Sequence, residues 1–175
     1  RGLGDVYKRQ ALGDITPGHA LAHRAFEQGI TIAEKIAGAD PKPVLDDTVP
    51  QVVFSFPEAA SVGLTLDQAK AREDVVEPKE TAYPMLSNAR MLMSGEGGSM
   101  TVVSGAFANN PDMQVVLGVH IVSPIASDLI AEAEQLVGNR VPLADAARLI
   151  HPHPTFSETL GEALLKADGR PLHTR

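Results

Sequence analysis

Apolar positions at Ala20, Leu21, Phe26, Ile30, Ala33 and Ile36 recur near helical spacing, so Pro17 to Gly38 predicts a helix with Gly38 as its C-terminal cap. Ala11 to Ile15, just before it, reads as a strand end and a turn holding Asp14. The stretch 38–50 loses this periodicity and carries Pro41, Pro43 and Pro50 among aspartates, which predicts a linker and a domain boundary near residue 50. Beyond it, Val52 to Phe56 is β-branched and aromatic and stops at Pro57, a strand pattern, and Leu66 to Arg72 fits a short helix capped by Thr65. Met100 to Phe107 and Gln114 to Val122 are apolar β-type runs separated by turn residues at Ala108 to Met113, as in an antiparallel pair. From Pro124 to Val137, Ile125, Leu129, Ile130, Ala133, Leu136 and Val137 form one stripe against Asp128, Glu132 and Glu134, and Gly138 ends the helix. Pro142 suits the first position of a helix over Leu143 to Ile150, and Thr155-x-x-Glu158 has capping-box spacing for a last helix through Lys166, with Gly169 beyond it. Strands with segregated helices predict an α+β fold, an antiparallel sheet with flanking helices.

Composition narrows the function classes. Hydrophobic residues at 43% and charged residues at 21% describe a globular chain, and no apolar stretch approaches the ~20 residues of a membrane span. A net charge of -7 without a Lys/Arg cluster argues against a nucleic-acid surface. With no cysteine, the chain can hold neither disulfides nor thiolate metal sites. Residues 1–10 lack the apolar core of a secretory signal, so a cytoplasmic location is expected, and with Lys8 and Arg9 they fit the rest of the chain poorly and read as a non-native junction.

The candidate chemistry is concentrated in His151-Pro152-His153-Pro154-Thr155-Phe156-Ser157-Glu158. Two prolines stiffen the turn, press both histidines into extended backbone and make cis bonds possible. Five positions across a turn let Glu158 bond one ring nitrogen of His153 and leave the other as a base. On spacing alone, capping is the stronger reading for Glu158. His151-x-His153 could also be a metal pair completed by His173 or an acid, but without cysteine or a second His/Asp cluster no metal is expected. Asp14 could accept hydrogen bonds from a ligand hydroxyl or serve as an ordinary turn residue. The helix start at Ala20, Leu21, Ala22 and His23 would favour negative charge on a ligand. His19, His23 and His120 read otherwise as surface or core histidines. Ser94 to Gly98 reads as a flexible hairpin connection rather than a phosphate loop, and Met85, Met91, Met93 and Met100 read as core or interface filler.

His151 to Glu158 resembles the C-terminal motif of the flavin-dependent pyridine nucleotide-disulfide oxidoreductases, the dihydrolipoamide dehydrogenases most closely. Further segments resemble the same family in order: Leu12 to Ile15, Leu21 to His23, Val53 to Thr65, Gly118 to Val122, Ala126 to Ile130, and Gly169 to His173. The resemblance implies that 11–49 is a remnant of an FAD-binding domain, in which Asp14 would hold the ribityl chain and backbone groups of Ala20, Leu21, Ala22 and His23 would lie against the flavin. It implies that 50–175 is a dimerisation domain of a homodimer. It implies that His153 is the acid/base, oriented by Glu158, acting on a dithiol beside the other subunit's redox-active cysteine pair, with a cis Pro154. Lipoyl domains of 2-oxo acid dehydrogenase complexes would be the partners, and FAD and NAD the cofactors, both bound mainly outside this chain. A complete member also needs two glycine-rich nucleotide motifs and the cysteine pair, and this chain has none of them. The expectation is therefore a C-terminal portion, inactive alone; a stand-alone dimerisation module or a glutathione-reductase-like portion are the alternatives. Phe56 and Ser123 depart from the family pattern.

Overall fold

The structure is a computed structural model, and it describes residues 10–174. Apart from Gln10, the junction expected over 1–10 lies outside the described residues. The chain divides between Val49 and Pro50 into two compact units.

In the first unit a 3-10 turn, Gly13–Ile15, precedes helix α1, Ala22–Ile36. The turn is tied to the helix because the Gly13 amide donates to Gln28 Oε1 at 2.7 Å. The helix starts later than the apolar pattern suggests, because Pro17 to Leu21 is spent in a loop held by a charge. Arg24, only 5% exposed, donates from Nη2 to the Pro17 carbonyl at 2.7 Å and pairs through Nε with Asp46 Oδ1 at 2.7 Å. Gly38 sits one residue past the C-cap at φ +90°, a left-handed position that a glycine takes without a Cβ penalty.

The second unit is an antiparallel five-stranded sheet in the order β1-β2-β5-β4-β3, comprising β1 (Gln51–Val53), β2 (Glu58–Gly63), β3 (Val75–Pro84), β4 (Ser99–Phe107) and β5 (Asn110–Ser123). Its helices are α2 (Leu66–Ala71), α3 (Ala89–Ser94), α4 (Ala126–Gly138), α5 (Leu143–Ala146) and α6 (Glu158–Ala167). This is the α+β fold that the pattern predicts. Helix α4 covers β2 and β5, and α6 covers β3 and β4. Between them Val62, Tyr83, Met100, Val102, Val119 and Ile121 of the sheet meet Ile130, Leu160 and Leu164 in one buried cluster. Each large aliphatic side chain buried there contributes about 1.5–3 kcal/mol. A smaller cluster gathers Leu64, Ala69, Val75, Val103, Val115 and Leu117. Glu58, at the start of β2, accepts the Ser127 amide at 2.8 Å and so caps the first turn of α4.

Several elements depart from expectation. The strand expected through Phe56 stops at Val53, and β2 follows unannounced, its Glu-Ala-Ala-Ser-Val-Gly sequence poor in β-formers but small enough to pass under α4. Strand β3 was hidden by Pro78 and its charges, which an edge strand tolerates; it pairs only with β4, with an irregularity between Val76 and Lys79. Helix α3 was also missed. Ser94 to Gly98 is not a hairpin connection: Gly95, at φ +70°, ends α3 and leads into β4. Helix α5 stops at Ala146 instead of Ile150, because the chain swings toward α4, where His151 finds a partner. The Thr65 cap is present as a full capping box with Gln68. Of the four methionines read as filler, Met85, Met91 and Met100 are wholly buried while Met93 is exposed.

Candidate active site

Pro152 and Pro154 remove two amide donors and restrict the residues before them, so the segment from His151 to Ser157 cannot be helical and must be held by side chains. The His153–Pro154 bond is cis. At the far end of the segment, Glu158 opens α6 and reaches back across it. His153 Nδ1 lies 2.9 Å from Glu158 Oε1, and Glu158 Oε2 accepts the Thr155 amide at 2.8 Å. Half of the expected capping box is therefore formed. The other half is not, because the Thr155 hydroxyl turns away to donate to the Pro152 carbonyl at 2.6 Å and lies 2.9 Å from Ser157 Oγ. Capping and orientation of the histidine, alternatives in the sequence, use different oxygens of one carboxylate.

Burial pushes the Glu158 carboxyl up, but the Thr155 amide, the His153 hydrogen bond and the charges of His153 and His151 together hold it below the usual carboxylate range. An ionised Glu158 on Nδ1–H leaves the lone pair on Nε2, and the imidazole is 69% exposed. The arrangement can accept a proton from an incoming acid and return it.

Two further groups fasten the turn. Asn88, nearly buried, caps α3 by accepting the Arg90 and Met91 amides and donates from Nδ2 to the Thr155 carbonyl at 3.1 Å. His151 Nε2 lies 2.7 Å from Glu132 Oε1 on α4. Its ring packs across α6 at Gly161, where an added Cβ would come within 2.5 Å of His151 Nδ1. The Glu132 hydrogen bond raises the His151 pKa above the ordinary imidazole value of 6.5, against the opposing effect of burial. One turn along α6, Glu162 accepts the His173 amide at 3.2 Å and faces His173 Nδ1 at 2.8 Å, clasping the C-terminal segment. Nothing in the sequence marks Asn88 or Gly161, and Glu132 and Glu162 read as ordinary helix positions.

The remaining predicted site residues lie in the first unit. Asp14 is exposed in the 3-10 turn that abuts α1, Ala20 and Leu21 precede the helix, and Ala22 and His23 form its first turn. His120 Nε2 lies 3.2 Å from the Leu64 carbonyl. Among the described residues no three His, Asp or Glu side chains converge as a metal site, and no helix is long and apolar enough to cross a membrane.

Residues 49–164 match the family model for the pyridine nucleotide-disulphide oxidoreductase dimerisation domain. The chain is 40% identical over 164 residues to a dihydrolipoyl dehydrogenase of Bacillus subtilis, covering 93% of this chain and 33% of that protein. It is 41% identical over 165 residues to one of Cupriavidus necator, with the same coverage of 93% and 33%. Among solved structures, LpdA from Mycobacterium tuberculosis superposes with a TM-score of 0.79 at 30% identity, over 90% of this chain and 33% of that one. The flavoprotein disulfide reductase RclA from Escherichia coli shares the fold, with a TM-score of 0.73 at 20% identity over 88% of this chain and 34% of that one. The chain thus spans about a third of the length of the curated relatives it matches.

Proposed function

The chain belongs to the pyridine nucleotide-disulphide oxidoreductase family through its dimerisation domain, and on that premise we propose that it is the C-terminal portion of a dihydrolipoamide dehydrogenase, with His153 and Glu158 as its acid–base pair. The observation that carries this reading is the 2.9 Å approach of Glu158 Oε1 to Nδ1 of an otherwise exposed imidazole. In this role His153 Nε2 takes the proton of one thiol of dihydrolipoamide. The resulting thiolate sulfur attacks a sulfur of the redox-active disulfide, so a mixed disulfide forms as that disulfide breaks and its second sulfur leaves as thiolate. His153 passes its proton to the departed thiolate and takes that of the second thiol, whose sulfur then attacks the mixed disulfide, closing the substrate disulfide and releasing the other enzyme sulfur as thiolate. Glu158 keeps Nδ1–H engaged throughout and stabilises the imidazolium that forms on proton transfer.

The disulfide belongs to the partner subunit in this reading, so each active site is assembled across a homodimer made by residues 50–175. Bound FAD would supply the two-electron acceptor through which the electrons of the dithiol reach NAD. Asp14 would hold its ribityl chain and the amides of Ala20 to His23 its flavin, which suits an exposed carboxylate in a turn tied to the helix. Most contacts to both cofactors would lie outside the chain. The partners would be lipoyl domains of 2-oxo acid dehydrogenase complexes.

Steady-state turnover of dihydrolipoamide with NAD by the full-length enzyme tests the reading. His153→Ala is expected to lower kcat by about 100-fold or more, and turnover within about threefold of wild type would overturn the acid–base role. The 175-residue chain alone, without cysteine, is expected to show no turnover under the same conditions.

A further inference from the structure

His153 is lightly held by its own surroundings: its ring is largely in solvent, and among the described residues the Glu158 carboxylate is what its ring bonds. Where Nε2 points is then set by the backbone of the segment. With Pro152 and Pro154 flanking it, that backbone makes no helical hydrogen bonds and depends on what fixes its two ends. The exit end is fixed by Thr155, through Glu158, Asn88 and Pro152. The entry end is fixed by His151, whose ring is 9% exposed, bonded to Glu132 on α4 at 2.7 Å and seated on α6 in the gap left by Gly161.

Resting on the reading of His153 given above, we infer that His151, Glu132 and Gly161 form a positioning clamp for the catalytic histidine, pinning the entry of the turn between α4 and α6 so that His153 meets the dithiol in one fixed orientation. Three features of the site fit together in it. A glycine stands on the buried face of α6 where a Cβ would displace the imidazole. A half-exposed carboxylate on α4 meets the opposite ring nitrogen. Between them the ring is enclosed, two residues from a histidine that is open to solvent. The clamp spans the two helices that cover the sheet, so it references His153 to the rigid part of the domain and not to the loop alone. Misplacement of a proton acceptor by about 1 Å is enough to cost up to about 100-fold, so loss of one end of a two-ended support should be felt in the chemical step.

Glu132 from α4 and Glu158 from α6 are the charged groups that face His151, and both favour its protonated form. A clamp closed by an ion pair holds most firmly when His151 carries its proton and slackens as that proton is lost.

The test uses the full-length enzyme, with kcat and KM for dihydrolipoamide measured separately across pH. Glu132→Ala is expected to lower kcat about tenfold while KM stays within about twofold. Glu132→Gln keeps an acceptor for His151 Nε2–H and is expected to recover most of that loss, while removing the high-pH decline contributed by His151. Gly161→Ala attacks the clamp from the other helix and should reproduce the fall in kcat, which keeps the inference falsifiable if Glu132→Ala does not fold. His153→Ala in parallel separates the two levels. If His153→Ala is inactive but Glu132→Ala and Gly161→Ala stay within twofold of wild type, the clamp is wrong and the acid–base reading stands. If His153→Ala itself retains turnover, the acid–base reading fails and the clamp falls with it.

Discussion

His151 and His153 stand two residues apart on one turn, each paired with one glutamate at hydrogen-bond distance, yet the two ends of the turn are built in opposite ways. At the inner end the imidazole is 9% exposed, lies between α4 and α6, and its pKa is raised by its carboxylate. At the outer end the imidazole is 69% exposed, and there it is the carboxylate, 20% exposed, that sits in the protein. A buried histidine suits a fastening, whereas a buried carboxylate with its histidine in solvent suits a reagent, because only an accessible ring nitrogen can exchange a proton with a substrate. On the proposed reading, the same two residue types divide into support and chemistry according to which partner the fold encloses.

The sharpest way to break this comparison is to delete each imidazole in turn in the full-length enzyme. His153→Ala should remove about 100-fold or more of kcat and leave thermal unfolding close to wild type, since an exposed ring contributes little to stability. His151→Ala should do the reverse, lowering stability by about 1–3 kcal/mol in denaturant titrations as a charge-assisted hydrogen bond is lost, with a smaller fall in kcat of about tenfold. Equal effects of the two on unfolding would erase the distinction.

A pH series sharpens it further. His151 is raised in the folded state, so the stability it contributes is fully present below the ordinary 6.5 and is lost as pH rises through its folded value. Glu158 is depressed, so its contribution is present above the ordinary 4.5 and is lost as pH falls through its lower folded value. Denaturant midpoints of wild type and Glu132→Gln should therefore differ most at pH 5–6, roughly, and converge at high pH; a difference that grows with pH would reverse the sign of the account. The smallest effect is expected from Thr155→Val, which removes the hydroxyl bonds to Pro152 and Ser157 while keeping the Thr155 amide on Glu158. Its cost should be about 1 kcal/mol in chemical unfolding, with kcat changed by no more than about threefold.

Much of this was legible in the sequence where one principle acted alone. The helix at 126–138 is an uninterrupted apolar stripe, and the β4–β5 hairpin is two β-branched runs about a polar turn, so both were evident. The His153–Glu158 pairing was one of two open readings, with capping the stronger on spacing alone, and the carboxylate does both with different oxygens. Strands β2 and β3 were not evident, since one is made of small residues and the other is an edge strand carrying Pro78, and their strand character comes from the neighbours that pair with them. The support of the site was hidden for a related reason. Glu132 lies 19 residues from His151 and reads as part of a solvated face, and Gly161 reads as an ordinary small helix position; their roles exist only once α4 and α6 lie on the same sheet. In the first unit Arg24 was equally silent, a cation inside an amphipathic pattern whose burial depends on Asp46 beyond the helix.

The most direct test is a stopped-flow comparison of flavin reduction from the two directions in the full-length enzyme, wild type against His153→Ala. In the proposed reaction, reduction by dihydrolipoamide requires a thiol proton to be removed, whereas reduction by NADH involves no dithiol. The account predicts that the first rate falls by about 100-fold or more while the second stays within about twofold. Dithiol-driven reduction that remains within threefold of wild type would contradict it.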